Sequence, residues 1–125
     1  MIKLRIAVPT NSHAGLQDIV SEVFGKAKTF TIVDVEDDEV KDVHVVDNPA
    51  SLYDYGSGPV AVKTLADLKV NVVVANELGV GALGLLEHHN IRKIPAKPGT
   101  RVADIIKEAL MKPEKKRNKY KQDHS

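Results

Sequence analysis

The chain has 125 residues, 42% of them apolar and 28% charged, which is the composition of one ordinary globular domain. It has no cysteine, and this excludes a disulfide framework, a thiolate zinc site and a cysteine-ligated iron–sulfur cluster. Residues 1–111 carry 12 bases and 15 acids while residues 112–125 carry six bases and two acids, so the net charge of +1 conceals a mildly acidic body and a basic tail.

Ile2, Leu4, Ile6 and Val8 alternate with Lys3, Arg5 and Ala7, which predicts a first strand that Pro9 should stop. Leu16, Ile19, Val20, Val23 and Phe24 follow at the spacing of one helical face, with Gly25 placed as a helix stop. Thr29–Val35 and Val40–Val46 are β-rich runs around the acidic turn Glu36-Asp37-Asp38-Glu39, which predicts a hairpin. Asn48 to Gly58 is turn chemistry, and Pro59 suits the first position of a helix reaching about Leu68. Val70 to Ala75 is almost continuously apolar, as in a strand covered on both faces. Gly79 to Gly81 then opens a helix that ends near Asn90, and Ile91 to Ile94 reads as a last strand. Thr100 is placed as the cap of a final helix whose stripe is Val102, Ile105, Ile106, Ala109 and Leu110.

Late strands alternating with helices imply right-handed parallel crossovers, and the early hairpin adds an antiparallel strand to the same sheet. The expectation is a three-layer α/β domain over residues 1–111, with a mixed five-stranded sheet, one antiparallel strand, and helices near 59–68, 80–89 and 101–111. Residues 112–125 read as a basic, disordered tail. The chain runs from Met1 straight into a strand pattern, and no apolar run approaches the ~20 residues that cross a bilayer, so a cytoplasmic location and no membrane partner are expected.

In open α/β sheets, ligands collect beyond the carboxyl ends of the parallel strands. Those ends supply Thr10, Asn11, Ser12 and His13 after the first strand, and Asn76, Glu77, Gly79 and Gly81 after the fourth. Glycines opening a helix leave free N–H groups at its positive end, so an anionic ligand is reasonable. No GxGxxG or GK[ST] pattern occurs to specify a nucleotide. His44 should face solvent, and His88 and His89, adjacent on a helix, point about 100° apart, so no metal ligands are assigned. The first strand has no acid and the fourth offers only Glu77, which disfavours a two-metal nuclease. No nucleophile–base pattern is readable either, so no catalytic residue is named and no enzyme is expected.

Taken together, Ile6-Ala7-Val8, Ser21-Glu22-Val23-Phe24-Gly25-Lys26-Ala27 and Phe30-Thr31-Ile32-Val33-Asp34 resemble the start of dinitrogenase iron–molybdenum cofactor biosynthesis proteins. Asn48-Pro49, Gly56 and Gly58 before a helix, and Val72-Val73-Val74 leading to Leu78-Gly79-Val80-Gly81-Ala82-Leu83, extend the resemblance to residues 1–111. It implies a ribonuclease-H-like motif fold, with the second strand antiparallel. It also implies a non-catalytic binding or carrier role for an iron–molybdenum or iron–sulfur cluster or a related anionic small molecule, with cluster-assembly proteins as partners. Phe24 and Gly25 join the candidate binding residues on this ground. Two departures count against the same cluster. Val23 stands where the family usually has a candidate histidine ligand, and Asn76 and Glu77 replace glycines. Lying on the apolar stripe, Val23 reads as core, and Val23→His is expected to destabilise the fold. The alternatives are a nucleotide- or phosphate-ligand sensor using the helix starts, and weak nucleic-acid association through the tail, which is disfavoured against a merely solvated segment.

Overall fold

The computed structural model describes residues 3–110. Five strands form one sheet in the order β3-β2-β1-β4-β5. They are β1 (Lys3–Thr10), β2 (Thr29–Glu36), β3 (Glu39–Asp47), β4 (Val72–Ala75) and β5 (Arg92–Pro95). Pairing of β1 with β2 and of β2 with β3 is antiparallel, while β1–β4 and β4–β5 are parallel, so β2 alone runs against the rest. This is the mixed α/β sheet, antiparallel at its second strand, that the sequence and the resemblance both imply.

Helices α1 (Ser57–Asp67) and α2 (Val80–His88) cover one face. Ala61, Val62 and Leu65 of α1 and Ala82 and Leu86 of α2 pack there on Ala7, Phe30, Ile32 and Val73. On the other face, Val102, Ile105 and Ile106 of α3 (residues 102–110) meet Ile6, Val8, Val33, Val72 and Val74. All four residues of β4 are buried, which is why its run is uninterruptedly apolar. Asp37 and Asp38 both take positive φ in the hairpin turn, the two-residue geometry whose twist matches paired strands. Asp tolerates that geometry better than most side chains.

Several boundaries differ from the sequence reading. Pro9 does not stop β1: it lies opposite Phe30, and its carbonyl accepts the Ser21 N–H at 2.8 Å. Both backbone groups of Pro9 therefore face away from β2, and the missing N–H removes nothing from that ladder. The helix expected over Leu16–Phe24 is absent. In its place are 3₁₀ turns at Gly15–Gln17 and Phe24–Lys26, joined by a segment in extended pairing. Its N–H groups find partners outside the segment: Val20 donates to the Thr100 carbonyl and Ser21 to that of Pro9. Gly25 accordingly lies within a 3₁₀ turn and stops no helix. α1 begins two residues before Pro59, with Gly56 at its cap. Thr100 does not cap α3: the Arg101 carbonyl accepts the first intrahelical bonds, and the Val102 N–H is satisfied by the Asp18 carbonyl. β4 begins at Val72, and β5 is displaced by one residue to Arg92–Pro95. The expected tail, residues 112–125, lies outside the described residues. No helix among the described residues is long and apolar enough to cross a membrane.

Candidate functional site

The segment after β1 decides what the carboxyl ends of the strands look like. It runs beside the end of β1, where Ser21 bonds Pro9, and reaches the end of β4, where Val23 pairs with Glu77. It therefore stands between the two strand ends and divides the ten expected site residues into two groups.

The first group is Thr10, Asn11, Ser12 and His13. Thr10 is buried, with its hydroxyl 2.6 Å from that of Thr29 and 3.0 Å from that of Thr31. Thr29 spends its proton on the Ser12 carbonyl at 2.7 Å. Thr10 must then donate to Thr29 and accept from Thr31, which leaves one ordered chain of hydroxyls. Ser12 is held just as firmly: its N–H and its hydroxyl both donate to Asp18 Oδ2, at 3.1 and 2.8 Å. The other Asp18 oxygen accepts the Ile19 N–H at 2.8 Å. Asp18 is buried and anchors the whole loop, yet it was not among the expected residues. Its sequence signal was hidden, because six residues separate it from Ser12 and it sat inside an apparent helix. Asn11 is exposed, and so is His13, whose Nε2 lies 2.9 Å from Asp47 Oδ1.

The second group is Phe24, Gly25, Asn76, Glu77, Gly79 and Gly81. Phe24 is buried, its ring centroid 5.4 Å from that of Phe30, so it supports the floor and offers nothing polar. Gly25 packs against the start of α1, where an added Cβ would lie 2.7 Å from Ser57 Oγ and 2.9 Å from the Gly58 nitrogen. Only glycine permits that approach. The buried Asn48 side chain fixes the turn by donating to the carbonyls of Gly25 (3.2 Å) and Ala27 (2.8 Å) and accepting from the Ala50 N–H (3.0 Å). Gly58 in turn brings α1 close to α2, since a Cβ there would lie 3.2 Å from that of Ala82. The starts of the two helices are thus neighbours.

Both helices are capped by glycine, Gly56 and Gly79, with no side-chain cap and no acid in the first turn. Their leading N–H groups and positive dipole ends are therefore left to an external acceptor. Lys26 stands nearby, with its ammonium on the Tyr53 carbonyl. Glu77 and Asn76 are exposed at the same rim, and so are Leu52, Tyr53, Tyr55 and Leu83. The structure overturns the reading of Val23 as core: its side chain is 42% exposed, because the residue is extended and paired with Glu77 instead of helical.

These residues can be tested against a metal cluster. The chain has no thiolate, and the histidine of the expected set, His13, lies in the first group beside Asp47. The rim offers amide N–H groups, two dipole ends, the Lys26 ammonium and the Glu77 carboxylate. That inventory fits a guest gripped through hydrogen bonds to its anionic atoms, with no thiolate or imidazole bond to a metal.

The solved structures most like this fold include the apo form of the orange protein from Desulfovibrio gigas. It is 28% identical, with a TM-score of 0.77 over 85% of this chain and 86% of the other. TM1290 of Thermotoga is 26% identical, with a TM-score of 0.69 over 88% of this chain and 89% of the other. An uncharacterised protein of Methanocaldococcus jannaschii, MJ0580, is 25% identical over 88 residues, 70% of each chain. The pattern of the family described as dinitrogenase iron–molybdenum cofactor matches residues 3–112. With the whole described domain inside that match, the chain belongs to the dinitrogenase iron–molybdenum cofactor family.

Proposed function

We propose that the protein is a non-catalytic carrier whose guest is an anionic metal cluster, or a related anionic small molecule, seated where α1 and α2 begin. The observation that carries this reading is the pair of adjacent, uncapped, glycine-started helices at the carboxyl end of the parallel strands. Family membership supports a metal-bearing guest. Gly79, Gly81 and the backbone of Ser57 and Gly58 would hold its anionic atoms, with Lys26 adding charge. Phe24 and Gly25 shape the floor, and Asn76 and Glu77 form the edge. Thr10, Asn11, Ser12 and His13 border the site from the other side of segment 20–23. Cluster-assembly proteins are the partners such a carrier would serve, meeting it at the exposed Leu52, Tyr53 and Tyr55.

Glu77 separates the two kinds of guest. A carboxylate at the rim repels a simple oxyanion but can ligate a metal centre within a larger anion. Glu77→Gln should therefore weaken a metal-bearing guest, and should strengthen phosphate about two- to fourfold at low salt. Metal analysis with native mass spectrometry on anaerobically purified protein tests the reading. A retained metal-bearing anion supports the carrier, whereas a retained nucleotide would replace it with a phosphate-ligand sensor.

A further inference from the structure

At the opposite end of the sheet, β1, β2 and β3 lay a row of charge across the face that carries α1. Arg5 stands opposite Asp34 and Asp34 opposite Asp42, with His44 two residues beyond on the same face. Like charges directly opposed across strands are destabilising, so the two aspartates are a cost that the fold bears. The register shifts beside them, leaving Lys41 as the extra residue of a bulge, a device that re-aims side chains.

The donor atoms converge. One ligand atom each from Asp34, Asp42 and His44 lie within 4.8 Å of one another, and His44 Nδ1 is 3.0 Å from Asp42 Oδ2. Among the described residues this is the only such group of three. Arg5 fixes Asp34 from behind, donating from Nε to Oδ1 at 2.7 Å and from Nη2 to Oδ2 at 3.2 Å. Its remaining amino group donates to the Leu68 carbonyl at 2.7 Å, so the guanidinium is itself pinned. The bond to Asp34 holds the Arg5 pKa above its ordinary value, against the opposing effect of burial. A carboxylate has about four lone-pair sites, and Arg5 takes two, leaving Asp34 able to accept a further partner. Carboxylate ligands held by such outer hydrogen bonds are the rule in metal sites. A surface cleft of about 520 Å³ adjoins Arg5, Asp34 and Asp42, with room for the waters that complete a coordination shell.

We propose that His44, Asp42 and Asp34 form a divalent transition-metal site, separate from the anion seat and independent of the carrier reading. One imidazole and two carboxylates suit first-row ions from nickel to zinc, and the nearby guanidinium charge keeps affinity below that of a structural zinc site.

The experiment is a Zn²⁺ titration of the full-length, tag-free chain by calorimetry. One ion should bind with a heat that His44→Ala and Asp42→Asn each weaken about tenfold or more. Both positions are exposed, so folding is not at stake, and circular dichroism checks that directly. His13→Gln and the double variant His88→Gln/His89→Gln should leave the affinity unchanged. Co²⁺ should give a visible spectrum that His44→Ala abolishes. Unaltered Zn²⁺ binding in His44→Ala, loss of binding in either control, or no measurable binding in the wild type would each overturn the site.

Discussion

Val23 shows how much one residue's surroundings matter. Its side chain projects from an extended segment beside Glu77, so a larger polar group there meets solvent and not a packed core. Val23→His should change stability by no more than about 0.5 kcal/mol, the usual range for surface positions. It should also add an imidazole to the rim and tighten metal-bearing guests. Thermal melts and binding of the same guest to both proteins check this, and a large fall in melting temperature would return Val23 to the core. Gly25 is the opposite case. A methyl there meets Ser57 and the backbone of Gly58, so Gly25→Ala must push the turn away from α1. Overpacking of this kind typically costs about 1–3 kcal/mol, and chemical denaturation should show a loss in that range.

At the scale of elements, what was legible depended on whether a pattern had one backbone solution. The alternation in β1 and the unbroken apolar run of β4 admit only strands of one sort, and both are present. The spacing of Leu16, Ile19, Val20, Val23 and Phe24 fits one helical face. In the fold those residues serve different neighbours: Val20 joins the α3 side, Phe24 the α1 side, and Ile19 and Val23 are exposed. Nothing local reveals this, because the partners of Val20 and Ser21 are Thr100 and Pro9, and only tertiary structure brings Thr100 near. The glycine-started helices were readable, since their composition is local. The anchoring of Ser12 by Asp18 was not. That carboxylate holds two Ser12 donors and the Ile19 N–H while its own backbone carbonyl caps α3. Asp18→Ala should remove three hydrogen bonds to a charged acceptor at once and cost about 1–3 kcal/mol. Amide exchange should rise at Ser12 and Ile19 while Val102, bonded to the backbone, stays protected; equal protection throughout would dismiss the anchor.

Across the whole molecule, the two ends of the sheet differ in kind. One carries uncapped helix starts and an exposed apolar rim, the other a cross-strand row of Arg5, Asp34 and Asp42. The layered core between them is complete within the described residues, with both sheet faces covered. Truncation at Lys112 should therefore leave the melting temperature nearly unchanged, and calorimetry with sizing chromatography would reveal any structural role of the tail. The central claim is that the starts of α1 and α2 hold an anionic guest. Gly79→Asp tests it most directly, because a side chain at that extended cap meets open space and would cap α2 itself. The variant should be at least as stable as the wild type, while occupancy by the guest, measured by metal analysis and native mass spectrometry after anaerobic purification, falls about tenfold or more. Equal occupancy in a stable Gly79→Asp protein would contradict the account.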